Sequence, residues 1–267
     1  MKPLIATVGI AACVLGMGLF AGHRLTPTDS PPETVLWAWE RPEAVDFLTS
    51  SEATIAVLVG RLRLSGESMT TFPRVQPLTL PEDAPRLAVV RIESDPRQRP
   101  VLDAPQRQRV VDAVLAWAAA LPAARALQID FDATVSERPF YRSLLEDLRR
   151  QMPAEQPLSI TALASWCLGD PWLDGLPIKE AVPMLFRMGR DAEPVRAQLA
   201  RGVDFSHPLC RSSYGLSSDE PIPALRSGRR LYLFHPRPWT ETAFEAFHHR
   251  LMRDLGETTW ITPHAAG

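Results

Sequence analysis

From residue 34 onward, the chain alternates short apolar-rich runs with amphipathic or turn-rich segments. The runs are Val35–Glu40, Thr54–Leu64, Leu87–Glu93, Ala126–Asp132, Leu158–Ser165, Ala181–Met188, Arg211–Ser218 and Leu231–His235, and each reads as a strand bounded by turn residues. Amphipathic helices fall between several of them. In Pro105–Leu121, the residues Val110, Val111, Val114, Leu115 and Ala118 recur at helical spacing. Pro139–Met152 does the same with Phe140, Leu144, Leu145 and Leu148, with Ser136 as the expected cap and Pro139 in the first turn. Thr240–Leu255 carries Phe244, Phe247, Leu251 and Leu255, with Thr242 and Glu245 at the spacing of a capping box. Strand-helix alternation implies parallel pairing, and eight repeats predict an α/β fold: a single (β/α)8 TIM-type barrel over residues 34–267. The 26 prolines are about twice average usage. The links after the second, fifth and seventh runs are short or Pro-rich, so loops are expected to replace or shorten helices there.

The fourth run is the most informative. Side chains alternate along a strand, so Leu127, Ile129 and Phe131 share one face while Gln128, Asp130 and Asp132 share the other. Two carboxylates therefore converge at one strand end, where they can couple their titrations or divide acid and base work. Barrels of this type build their active face at the carboxyl ends of the strands. Those ends carry Glu40, Arg61 and Arg63, Glu93, Asp130 and Asp132, Ser165 with Trp166, Arg187, Asp219 with Glu220, and His235. Arg61 and Arg63 share a face, as do Arg91 and Glu93, and as do Ser159, Thr161 and Ser165. A barrel interior tolerates such groups only near its open mouth, hydrogen-bonded or wet. The alternative is an Arg–carboxylate lattice that closes the barrel top without chemistry.

Composition narrows the partners. With 267 residues, 45% of them hydrophobic and 22% charged, the chain is long enough for one large core. A net charge of −2 and a pI near 6.3 leave no broad basic surface for phosphates, so nucleic acid is not an expected partner. Lys2 and Lys179 are the only lysines; the arginine bias suits carboxylate or sugar contacts and equally suits a genome bias.

The N-terminus reads as an export segment. Residues Leu4–Ala21 are uncharged and apolar or small, His23 and Arg24 close the run, and a turn-rich stretch follows. Residues 1–24 are therefore expected to be a signal peptide or membrane anchor and residues 25–33 a linker. The protein is placed in the periplasm or cell envelope, held at the inner membrane by residues 4–21 if uncleaved. Ile10–Cys13 resembles a lipoprotein cleavage box, but only a short apolar stretch precedes it. Beyond this segment remain Cys167 and Cys210, which an oxidising compartment would permit to pair. A parallel barrel sets them toward opposite ends, so two buried free thiols are expected.

Leu36–Glu43 (LWAWERPE), Gln128–Ala133 running through Ser136–Arg138 to Phe140 and Tyr141, Ser159–Cys167 and Val182–Gly189 together resemble a bacterial family known only as domain of unknown function 3142. The resemblance spans roughly residues 34–238. It implies a glycoside-hydrolase-like barrel, and no established reaction or catalytic residue comes with it.

The chemistry must then be weighed from the residues. Glycoside hydrolysis needs two carboxyl groups, about 5–5.5 Å apart for retention or about 6.5–9.5 Å for inversion. Asp130 or Asp132 facing Asp219 or Glu220 supplies such a pair. The preferred assignment is Asp132 as general acid, raised in pKa by Asp130, with Glu220 as base or nucleophile. Ser218–Pro221 equally fits a helix N-cap with proline in the first turn. Asp130-Phe131-Asp132 is also similar to the fourth strand of chitinase-like barrels, but Ala133 and Thr134 stand where the terminal glutamate of that pattern would follow.

Trp39, Trp166 and Trp172 lie near strand ends, where flat rings stack on sugars. Trp37 and Trp39 share a face opposite Glu40 and read equally as packing beneath helices. Met184, Phe186 and Met188 read as core. No glycine-rich phosphate loop, nucleophile elbow or zinc pattern appears, and His248-His249 are adjacent rather than convergent, so no cofactor or metal is expected. The expected partner is an oligo- or polysaccharide. The function classes left open are a carbohydrate-active hydrolase, a non-catalytic saccharide-binding barrel and a structural envelope protein.

Overall fold

The computed structural model describes residues 33–48 and 52–256. The export segment, most of the linker and Cys13 lie outside the described residues. Eight strands run parallel: β1 (Thr34–Ala38), β2 (Thr54–Ser65), β3 (Arg86–Ser94), β4 (Ala124–Asp130), β5 (Leu158–Leu163), β6 (Glu180–Met184), β7 (Ser213–Ser217) and β8 (Arg230–Phe234). Each pairs with the next in chain order, and β1 pairs with both β2 and β8, at Leu36↔Ile55 and Leu36↔Leu233, so the sheet closes into a barrel. The expected barrel and its eight strands are therefore present. Four helices pack outside or between strands: α1 (Ala104–Ala120), α2 (Arg138–Gln151), α3 (Ala192–Ala200) and α4 (Glu241–Asp254).

Alternation divides the core into two layers. Side chains such as Leu36, Val90, Ile129, Ile160 and Leu233 point outward and pack against the helices. Val35, Trp37, Leu58, Val89, Val182 and Tyr232 fill the barrel itself. Several polar groups inside this small interior are hydrogen-bonded to one another. The Trp37 indole donates to Gln128 at 2.9 Å, while Glu180 accepts from Tyr232 at 2.7 Å and from Arg230 at 2.8 Å.

Strand β2 is longer than its neighbours and serves two partners. Its first half pairs with β1, while Gly60–Ser65 pairs antiparallel with an outer strand at Ser68–Pro73, which stands where a helix would. The register of β2 against β3 shifts between Leu58 and Gly60. This β-bulge reverses the alternation. Ala56 and Leu58 face inward below it, Leu62 and Leu64 face outward above it, and Arg61 and Arg63 are thereby turned toward the mouth. Gly60 is required at the bulge, because a Cβ there would stand 2.6–2.8 Å from the Trp117 ring of α1.

Three local expectations are corrected. The entry turn of α2 is capped by Thr134, not Ser136: the Thr134 amide and hydroxyl both donate to Glu137 at 2.7 Å. Helix α4 starts earlier than a Thr242–Glu245 box would place it, because the Thr240 hydroxyl accepts from the Ala243 amide at 3.2 Å. Cys167 and Cys210 form a disulfide, with Cα atoms 5.9 Å apart, rather than two free thiols. The links after β5 and β6 meet because each lays a 3-10 turn, Ala164–Cys167 and Pro208–Cys210, against β6. The Ser206 amide also donates to the Cys167 carbonyl at 3.0 Å. The two cysteines thus share one flank of the barrel. Among the described residues, no helix is long and apolar enough to cross a membrane.

Candidate functional site at the barrel mouth

Above the filled interior, the strand ends enclose a cavity of about 280 Å³. One wall is apolar: Trp39, Met184, Phe186, Met188 and Phe234, with Trp37 also lining it. Phe186 and Phe234 stack at 5.6 Å, and Trp39 meets Phe234 edge-on at 5.9 Å. Trp37 and Trp39 therefore point into the barrel rather than under helices, and Met184, Phe186 and Met188 line the cavity rather than only the core. The other wall is polar and carries Arg91, Asp130, Asp132, Thr161, Ser165 and Asp191. Arg187 also lines the cavity, with its guanidinium 5.0 Å from the Phe234 ring centre.

Arg91 organises the acids. It donates to Asp130 at 2.7 Å and to Glu93 at 3.1 Å, and comes within 3.8 Å of Asp132. Asp130 ends β4, is 2% exposed, and also accepts from Thr161 at 2.7 Å. Glu93 receives Arg61 at 2.9 Å and lies 3.6 Å from Arg63. Burial raises the Glu93 carboxyl, but the hydrogen bonds from Arg61 and Arg91 outweigh it and hold the group below its usual range. Glu40 is exposed on the rim, 3.6 Å from Arg61. Arg61 and Arg63 lie over the Phe72 ring of the outer strand.

Asp132 differs from these acids. It stands just past β4, where the Ala133 amide folds back onto the Phe131 carbonyl at 2.8 Å. Its pKa is pushed from 3.8 up to about 6, first by loss of hydration and then by the Asp130 carboxylate, against the pull of Arg91. The larger cause is thus the recess rather than the neighbouring acid. The side chain is 46% exposed, and that open side faces two depressions that it lines.

The remaining predicted residues are not gathered here. Trp166 is buried outside the barrel, 4.8 Å from the Trp172 ring, so both tryptophans pack beneath the surface and not at the mouth. Asp219 and Glu220 lie beyond β7 and do not line the cavity. The Ser217 hydroxyl, joined by Arg187 at 3.7 Å, holds Asp219 below its ordinary value. Glu220 accepts the Arg187 amide at 2.8 Å and Arg196 at 3.3 Å. These acids therefore brace the Arg187 loop, whose φ of +51° is unusual for a non-glycine residue. His235 contacts the Ser218 hydroxyl and packs on Trp239 at 5.0 Å. Its pKa is lowered by burial and by Arg237 and Arg41.

Asp191, in the 3-10 turn Gly189–Asp191, was not among the expected residues. It lies beyond the strand, where alternation no longer applies, and an acid shortly after a mouth-facing strand was the only signal for it. Among the described residues, no group of three His, Cys, Asp or Glu side chains is arranged to hold a metal ion.

An eight-stranded parallel barrel with its polar site at the strand carboxyl ends defines the class of the protein. Residues 82–181, from β3 into β6, match the family described as Domain of unknown function (DUF3142). Two of the quoted runs, Gln128–Tyr141 and Ser159–Cys167, fall inside the match; Leu36–Glu43 and Val182–Gly189 lie outside it. A solved structure similar to this chain is the crystal structure of the Bacillus cereus spore cortex-lytic enzyme SleL, at 13% identity and a TM-score of 0.44. The alignment covers 72% of this chain and 51% of that one, so the chain spans about half the length of SleL. No curated protein matches the chain.

Proposed function

We propose that this protein acts on a carbohydrate at the barrel mouth as a glycoside-hydrolase-like enzyme, with Asp132 as proton donor. The observation that carries this reading is a carboxyl group holding its proton up to about pH 6 in a cavity whose opposite wall is aromatic. Aromatic faces stack on the apolar side of a sugar ring, while carboxylates, hydroxyls and guanidinium groups bond its hydroxyls. A general acid works best when its pKa lies near the operating pH.

In the proposed reaction, Asp132 passes its proton to the bridging oxygen as that oxygen leaves the anomeric carbon. The oxygen of a water molecule bonds to the same carbon, and the proton released goes to a second carboxylate. Asp191 takes this second role, because it lines the same cavity and is in no ion pair among the described residues, whereas Glu220 and Asp219 are engaged by Arg196 and Arg187. Asp130, fixed by Arg91 and Thr161, helps keep Asp132 protonated. The apolar run Leu4–Ala21 supports placing this activity in the periplasm or cell envelope, on an oligo- or polysaccharide.

A second reading, saccharide binding without hydrolysis, is favoured by the ion pairing of Glu93, Asp130, Asp219 and Glu220. Screening the purified protein on envelope and exopolysaccharide oligosaccharides separates the two. The hydrolase reading expects release of reducing ends that falls as pH rises through about 6, and a loss of about 100-fold or more in Asp132→Asn. Equal turnover by the variant removes Asp132 from the mechanism. Binding without turnover selects the second reading.

A further inference from the structure

A second depression of about 710 Å³ adjoins the mouth cavity, and Arg91 and Asp132 line both. Its character is different. In place of a wall of stacked rings it presents Ser94, Asp95, Arg99, Thr134 and Ser136 beside apolar Phe131, Leu102, Ile92, Pro96 and Pro100. Its walls are tied down by hydrogen bonds. The Gly66 amide donates to the Gln98 carbonyl at 3.3 Å, and the Val101 amide to the Gly66 carbonyl at 2.9 Å, fastening the loop after β3 to the β2 hairpin. The Gln106 side chain adds bonds to the Gly66 and Ser68 carbonyls at 3.0 Å each. Across the groove, Ser94 donates to Glu137, which also holds Thr134.

Small-molecule sites usually enclose about 300–1,000 Å³. The mouth cavity alone falls just short of that range, and the two together approach its upper end. A ligand filling both must be elongated, and it must cross the Arg91–Asp132 boundary.

We propose that the ligand is a linear saccharide chain lying across both depressions, with an internal linkage at Asp132. This rests on the carbohydrate reading above and deepens it. On the cavity side a sugar ring stacks against Trp39, which Phe234 supports edge-on; on the groove side further units are bonded through their hydroxyls by Arg99, Ser94 and Ser136. Prearranged walls lower the ordering cost of binding, so each unit in the groove adds affinity. Both products of a cut at Asp132 then contain part of the original chain, and neither side is limited to one terminal sugar.

The test uses an array of linear bacterial glycan oligomers of one to eight units, followed by titration calorimetry of the best-retained series with wild type, Arg99→Ala, Ser136→Ala and Trp39→Ala. The expected result is a hexamer bound at least tenfold more tightly than the dimer. The hexamer-to-dimer ratio should fall toward one in Arg99→Ala and Ser136→Ala, while Trp39→Ala weakens both lengths. Equal affinity for dimer and hexamer, or a ratio untouched by the two groove variants, overturns the extended-chain proposal and leaves the carbohydrate reading standing. No retention of any glycan removes both. Melting curves of the variants matching wild type confirm that the changes in affinity do not come from misfolding.

Discussion

Replacing Asp132 with asparagine should cut turnover by about 100-fold or more and at the same time make the protein more stable at neutral pH. The Asp132 carboxyl is raised from 3.8 to about 6 in the folded chain, so between those values the folded state holds a proton that the unfolded state has released. By linkage, this site makes stability fall as pH rises from about 4 to about 6, and above that window the full penalty applies. A shift of about two units corresponds to nearly 3 kcal/mol. The side chain is 46% exposed, and solvent screening reduces the expected figure to roughly 1 kcal/mol. Asparagine has no charge to desolvate, so the variant should unfold in urea with about 1 kcal/mol more stability than wild type at pH 7.5. Below pH 4 the two should be equal. Among the described residues, the ion pair lost is the 3.8 Å approach of Arg91, which is too long for a hydrogen bond. A variant that is less stable than wild type at pH 7.5, or a difference that does not change with pH, would refute the claim that the mouth strains this carboxylate.

Arg91→Ala should cost about 3 kcal/mol at pH 7 by urea denaturation, because it leaves the Asp130 carboxylate buried without its cation; a loss below about 1 kcal/mol would show that Thr161 alone satisfies it. Replacing Cys167 and Cys210 with serine opens a loop of 43 residues in sequence separation and should lower stability by about 4 kcal/mol. The same loss should appear when wild type is denatured in reductant. Gly60→Ala should cost about 1–3 kcal/mol through displacement of Trp117, read as a lower melting temperature and a changed tryptophan emission spectrum.

The strands were legible because their apolar runs are punctuated by prolines, glycines and charged turns, and a parallel barrel follows from their number. The two acids at the end of β4 were legible from alternation alone. What escaped was everything that depends on neighbours. Nothing local in Val59-Gly60 announces a bulge, yet that single extra residue decides which way Arg61 and Arg63 face. Trp37 and Trp39 point inward because the barrel interior needs large rings, a demand set by the small side chains at Ala56 and Gly215. The disulfide is invisible from strand positions for a similar reason: it depends on the 3-10 turns Ala164–Cys167 and Pro208–Cys210, which bring both cysteines to one flank. Asp219 and Glu220 sit at a strand end as expected, and it is Arg187 and Arg196 that engage them.

The base of the barrel has a consequence for how any ligand travels. Trp37 packs on Tyr232 at 5.2 Å and is pinned to Gln128, while Glu180 joins Tyr232 and Arg230 below. Among the described residues, the buried side chains of Trp37, Gln128, Glu180 and Tyr232 fill the floor, so a ligand at the mouth would enter and leave on the same side. A chain cannot thread the barrel from end to end; it must settle laterally from solvent, and whatever remains in the cup must back out the way it came before the next can enter.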